Sequence, residues 1–258
     1  MRLRFLGTGT SFGIPVIGCR CAACTSENPR DRRTRSGALL ELPAGRLLID
    51  APPELRLQLI EAQVDHVDAV WITHTHADHV HGLDDLRIFS LRGGREVPLH
   101  LHEAHAKELV DRFAYVFDPS VRPLPGTSKP RLVPCPFDAT RAISLLDETF
   151  VPLEVPHGAT QVFGFRVGSL GYVTDAKALP DEALRRLAGV ETLVLNALWF
   201  GDPHPTHFNI EEAVDAARQV GARRTYLTHL THRVRHEEVA AWLPEGIMPA
   251  YDGLVVDC

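Results

Sequence analysis

No apolar stretch in this 258-residue sequence is long enough to cross a bilayer. The amino terminus, MRLRFLGTGTSFG, runs from a short strand-like segment straight into glycine-rich loop sequence, without the apolar core of a signal peptide. A cytoplasmic protein is therefore expected. Five cysteines are too few and too unevenly spread for a disulfide framework. An excess of positive charge is missing as well. The 27 basic and 33 acidic residues leave a formal charge of -6, which disfavours nonspecific wrapping by nucleic acid. The glycine-rich opening lacks both the Gly-Lys-Ser/Thr ending of a P-loop and the strand–GxGxxG–helix setting of a dinucleotide fold. What is present is an ordinary globular composition, 45% hydrophobic and 23% charged, sufficient for a substantial core. One domain over residues 1–258 is the expectation.

The chemistry concentrates in THTHADHVHG, residues 73–82, where His74, His76, Asp78 and His79 fall within six positions. Residues 68–72 (DAVWI) read as a strand leading into it. His74 and His76 can turn toward one metal ion while Asp78 and His79 turn toward a second. Neither shell closes without ligands from elsewhere. Borderline metals such as zinc accept nitrogen and oxygen donors, and catalytic sites keep a place for water. A histidine-rich surface turn is the alternative; buried without partners, such a cluster would be costly. Cys19, Cys21 and Cys24, in GCRCAAC, offer three soft donors in a short loop, and zinc there needs a fourth from a distant segment. Three reduced thiols in a local apolar cluster are the competing reading. Cys135 and Cys258 stand apart as unpaired thiols.

Periodicity predicts strands over 2–6, 36–42 and 46–50 and a helix over 54–62. Further on it predicts a short helix within 83–91, a strand at 97–101 and a helix over 103–111. The proline-rich interval 119–136 reads as an irregular access loop. Phe113, Tyr115 and Phe117 near its start could line a substrate wall, with core packing the commoner outcome. Strands are expected at 141–146, 149–155, 161–166, 170–174, 192–197, 223–227 and 254–256. Helices are expected over 180–187, 209–220 and 236–243, with Asn209 and Glu212 forming a capping box. The basic run 28–35 (NPRDRRTR) is either a solvated loop or a flank of an anionic substrate.

The H-x-H-x-D-H pattern of His74, His76, Asp78 and His79 resembles the first motif of the metallo-β-lactamase superfamily. That resemblance implies an α/β fold, an αββα sandwich of two mixed sheets flanked by helices, with a two-metal site at one edge of the paired sheets. It also assigns later ligands. His157 in VPHG would join His74 and His76 at the first ion, and Asp175 in YVTDA would bridge. His229 in YLTHLTH would join Asp78 and His79 at the second. Asp85 is expected to orient one of these histidines from behind. Asp78 would also help orient the water that attacks. Zinc or manganese, or else nickel, would serve as the two catalytic divalent ions.

More of the chain is similar to the PhnP-like branch, the phosphoribosyl cyclic phosphate phosphodiesterases, through LGTGTSFGIPVIGCRCAAC, THTHADHVHGL, VPHG, YVTDA, HFNI and LTHLTH. There, Cys19, Cys21, Cys24 and His232 would bind a separate structural zinc. His207 in THFNI would contact the phosphate or protonate the departing oxygen, with His204 as a competitor. The implied activity is metal-dependent hydrolysis of a small phosphodiester, such as a ribosyl cyclic phosphate, to a phosphomonoester, by a homodimer. Three alternatives carry different expectations. An RNA-processing phosphodiesterase of the ribonuclease Z type should present an extended basic surface, and a lactone or thioester hydrolase should act on carbon esters. A metal-stabilised partner-binding scaffold should turn over nothing.

Overall fold

In the computed structural model, which describes all residues from Met1 to Cys258, the alternating apolar residues build two seven-stranded sheets. The first contains β1 (Arg2–Gly7), β2 (Gly37–Leu42), β3 (Gly45–Ile49), β4 (Ala69–Ile72), β5 (Val97–His102) and β6 (Leu132–Phe137). The second contains β7 (Ile143–Leu145), β8 (Glu148–His157), β9 (Thr160–Val167), β10 (Leu170–Tyr172), β11 (Thr192–Asn196), β12 (Arg224–Thr228) and β13 (Ile247–Pro249). The last strand, β14 (Val255–Asp257), returns to the first sheet and pairs with β1. Strand order is β14-β1-β2-β3-β4-β5-β6 in one sheet and β13-β12-β11-β10-β9-β8-β7 in the other. In each sheet four neighbouring strands pair antiparallel, β14-β1-β2-β3 in the first and β10-β9-β8-β7 in the second, and the remaining pairings are parallel. The two halves thus repeat one plan.

Period two sorts the side chains into layers. Leu3, Phe5, Leu40, Leu47, Ile49 and Trp71 of the first sheet meet Phe150, Phe163, Phe165, Tyr172 and Val194 of the second, forming the core between the sheets. Trp71 is fully buried there, and its indole nitrogen donates to the Phe163 carbonyl at 2.8 Å, tying one sheet to the other. The alternate residues face outward. Leu39, Leu48, Val70 and Ile72 pack under the helices on the first sheet, and Leu153, Leu193, Leu195 and Leu227 under those on the second. The result is the four-layered αββα sandwich. No helix is long and apolar enough to cross a membrane.

The capping box is present: Asn209 accepts from the Glu212 amide at 2.8 Å, and Glu212 accepts from the Asn209 amide at 3.0 Å. It starts the helix Ile210–Val220, which ends at Gly221 in the left-handed region. One expectation fails. Residues 119–136 are not irregular throughout, because β6 begins at Leu132 and runs through Pro134 and Pro136. β6 is an edge strand paired only with β5, so the amides that its prolines lack are not missed. The short helix expected within 83–91 is present as Arg87–Gly93, preceded by a 3₁₀ turn, Leu83–Leu86. The short strand β13 went unread, since three residues carry no period. Phe113 is buried and Phe117 packs beside it under the first sheet, the core packing expected as the commoner outcome.

Candidate metal centre

Within the second sheet β8, β10, β11 and β12 run in one direction, so their carboxyl ends lie at one edge. A backbone bond from the Phe163 amide to the Thr73 carbonyl, 3.0 Å, brings the end of β4 to the same edge. His157 closes β8, Asp175 follows β10, His229 follows β12, and the histidine motif follows β4. Topology therefore delivers to one place what the sequence scatters over 156 positions, from 74 to 229.

Three imidazoles converge first. His74 Nε2 lies 3.0 Å from His76 Nδ1, and His157 Nε2 lies 3.3 Å from the same atom. Nitrogens about 2.0 Å from one tetrahedral ion stand about 3.3 Å from each other, so these spacings suit a shared metal. Beside them, Asp78, His79 and His229 form a second group. Asp175 reaches toward both: its Oδ2 lies 3.3 Å from His79 Nε2 and its Oδ1 lies 3.0 Å from His229 Nε2, and it clusters with His74 as well. His207 Nε2 stands 2.8 Å from Asp175 Oδ1. His204 does not touch Asp175; it lies behind His207, their Nδ1 atoms 3.3 Å apart.

The ring orientations are enforced from behind. Asp50 is buried at the end of β3 and binds His79 Nδ1 at 2.7 Å. The Thr73 hydroxyl donates to Asp50 (2.9 Å) and so accepts from His74 Nδ1 (3.0 Å). His157 Nδ1 donates to the Thr206 carbonyl at 3.0 Å. Each bond turns the opposite nitrogen into the site. Asp85 does not take this part; it lies on the turn Leu83–Leu86 and hydrogen-bonds none of these rings. The carboxylate that ends the apolar run LLID was the missed signal. Asp50, Asp175 and His229 all hold positive φ, at 61°, 55° and 61°. Such backbone is costly for residues other than glycine and collects at functional sites.

The charges ask for cations. Burial would raise the Asp175 carboxyl, but the imidazoles of His229, His79 and His207 outweigh it and hold the group well below the usual carboxylate range. Burial would lower His79, yet Asp175, Asp50 and Asp78 together raise it to about 10. A proton is thus drawn to a pocket of three carboxylates. Divalent ions would meet the same demand better, releasing that proton as they bind. His79 Nε2 and His229 Nε2 are buried and make no hydrogen bond, the nearby Asp175 oxygens being out of line for one, an expensive state unless something else binds them. The donor set fits metal ions.

A second group lies apart. Cys19, Cys21, Cys24 and His232 place one donor atom each within 4.8 Å of one another, and His232 Nδ1 is 3.4 Å from both Cys19 and Cys21 Sγ. The Cys24 amide and then His232 draw the Cys21 thiol down to about 6, toward the thiolate that metals bind. The arginines of the basic run near this loop are engaged within the protein. Arg33 is buried and donates to Thr8 Oγ1, the Ala250 carbonyl and His236 Nδ1. Arg35 donates to the Ser11 carbonyl and pairs with Glu54, and Arg30 lies over the Tyr251 ring. None of them lines the cleft above the metal groups. That cleft, about 480 Å³, is walled by Ser11, His76, Asp78, the 157–160 turn, Thr206, His207 and His229.

Comparison with known proteins agrees with this architecture. Residues 45–230 match the β-lactamase superfamily domain. A solved structure described as a new diphosphatase from the PhnP family superposes with a TM-score of 0.91 at 37% identity, covering 100% of this chain and 97% of that one. An octanoyltransferase of Porphyromonas gingivalis is 38% identical over 98% of this chain, which spans about half (51%) of that protein's length. A ribonuclease Z of Pyrobaculum neutrophilum is 28% identical over 93% of this chain and 92% of its own.

Proposed function

The chain belongs to the metallo-β-lactamase superfamily and is a metal-dependent hydrolase fold closely related to the PhnP family; from that premise we propose that it hydrolyses a small phosphodiester, a ribosyl cyclic phosphate, to a phosphomonoester. The observation that carries the reading is His207 Nε2 set against Asp175 at the lip of a complete two-metal donor set. A cleft of about 480 Å³ is of small-ligand size.

In this reading His74, His76 and His157 would hold one ion and Asp78, His79 and His229 the other, with Asp175, which lies against both groups, contributing to each. Zinc suits these nitrogen and oxygen donors, and manganese or nickel fits the same set. Two such ions would activate a water and share the negative charge of the phosphate. Asp78 helps to orient that water. The water oxygen bonds to phosphorus and loses a proton to solvent, the bond from phosphorus to the sugar oxygen breaks, and that sugar oxygen takes a proton from His207. Ring opening leaves a phosphomonoester and a free hydroxyl on one molecule. Cys19, Cys21, Cys24 and His232 would hold a structural zinc, tying the amino-terminal loop to the segment that carries His229. Residues 1–258 act as one unit, because β14 closes the first sheet after the chain has traversed the second.

Two relatives favour other readings. The diphosphatase at 37% identity points to cleavage between two phosphoryl groups by the same donors. The ribonuclease Z points to RNA, against which the formal charge of -6 weighs. Product analysis separates them, with metal-defined protein offered ribosyl cyclic phosphates, linear diesters, diphosphate esters and folded RNA, followed by phosphorus NMR, and lactones and acyl thioesters, followed by proton NMR. Selective opening of a cyclic phosphate to one monoester is expected. Turnover of diphosphates, RNA, lactones or thioesters with the cyclic phosphates untouched would overturn the proposal.

A further inference from the structure

His76 differs from the two imidazoles it meets. His74 and His157 each bond to the protein through the ring nitrogen that faces away from the site. His76 turns Nδ1 inward, and its ring is exposed, with no protein partner for Nε2. Nothing behind this ring sets its direction, so that task falls to the backbone that carries it.

That backbone is held from the helix Glu103–Arg112. Thr75, buried just before His76, donates its hydroxyl to Glu108 Oε2 at 2.7 Å. The Thr75 carbonyl accepts from Arg112 Nη1, and Arg112 Nη2 donates to Glu108 Oε1, which closes a ring of bonds around Thr75. This carbonyl lies in the rigid peptide plane leading into His76, so a bond to it fixes how the chain enters that residue. On the other side, the His76 carbonyl accepts from the His79 amide at 3.0 Å.

The same helix reaches the opposite ligand. Buried His105 donates Nε2 to the Gln161 carbonyl at 2.9 Å. Gln161 pairs with Pro156, the neighbour of His157, across the β8–β9 hairpin. Positions 105, 108 and 112 are three and four residues apart, so they share one face of the helix. One helix face thus spans the two segments whose rings meet, with His76 Nδ1 3.3 Å from His157 Nε2.

We propose that Glu108 and Arg112 are positioning residues for His76, acting through Thr75 on a metal ligand that has no bond behind its own ring. This rests on the reading of His74, His76 and His157 as ligands of one ion. In the neighbouring group, His79 is fixed by Asp50 and not by this helix. The effect is therefore confined to one of the two ions.

The test compares wild type, Glu108→Ala, Glu108→Gln and Arg112→Ala in zinc titrations against a chromophoric chelator, with urea midpoints measured alongside. Both side chains lie at the surface, so the variants should fold and keep their midpoints. Glu108→Ala and Arg112→Ala should each weaken one ion about 10-fold and leave the rest unchanged. A glutamine amide oxygen still accepts from the Thr75 hydroxyl, so Glu108→Gln should recover most of the loss. Anomalous diffraction from Glu108→Ala crystals grown at limiting zinc should show the depleted peak among His74, His76 and His157. Unchanged affinity, equal weakening of both histidine-bound ions, depletion among Asp78, His79 and His229, or no rescue by glutamine would each overturn the proposal. Wild type with no ion among the histidines would overturn the ligand reading, and the proposal with it. Wild type with both ions and an equally loaded Glu108→Ala would sink the proposal alone.

Discussion

Asp50 governs imidazoles of both metal groups, binding His79 directly and His74 through Thr73. Replacing it with alanine strands the buried His79 Nδ1 and removes the acceptor that fixes the Thr73 hydroxyl against His74. Asp50→Ala should weaken metal binding about 10- to 100-fold, measured by competition with a chromophoric chelator. His207 makes the opposite kind of contribution, because it supplies a proton instead of holding a ligand. His207→Ala should keep metal content and lower kcat on an alcohol diester about 100- to 10,000-fold in steady-state assays. The sequence made most of these residues legible, since H-x-H-x-D-H announces its chemistry by spacing. Asp50 and Thr206 stayed hidden because a supporting residue has no spacing rule. Each is an ordinary polar residue until the fold sets it behind a ring.

At the scale of elements, the motif is locked to the chain that follows β3. The Ala51 amide donates to the His79 carbonyl at 2.7 Å, and the Gly82 amide donates to the Ala51 carbonyl at 2.8 Å. A Cβ at residue 82 would stand 2.1 Å from the Pro52 carbonyl oxygen and 2.8 Å from Leu55 Cβ. Gly82→Ala should cost about 1–3 kcal/mol in urea unfolding, the range for forcing bulk into a packed site. The buried Arg33 network makes a second element-scale prediction. Burial, and then the charge of Arg33, lowers the His236 imidazole to about 4. The unfolded chain takes up that proton more readily, at about 6.5, so this contribution is complete above about pH 6.5 and is lost as pH falls toward 4. The urea midpoint should therefore drop between pH 7 and 5, and drop less in His236→Gln. Helices and strands with a clear period were legible in the sequence, down to the Asn209 box. The proline-bearing edge strand β6 was not, because proline usually argues against a strand and only its position at the rim excuses it.

Over the whole molecule, two sheets of one plan bring the carboxyl ends of β4, β8, β10 and β12 to a common edge, and the chemistry follows from that meeting. Sequence order alone cannot display it; only the resemblance in the motifs linked His157, Asp175 and His229 to the first cluster. The direct measurement is anomalous X-ray diffraction from crystals of protein grown with zinc, recorded on either side of the zinc edge. The account predicts two neighbouring peaks joined by Asp175, one among His74, His76 and His157 and one among Asp78, His79 and His229, with a third at Cys19, Cys21, Cys24 and His232. Zinc at the cysteines with no peak among the histidines would contradict it.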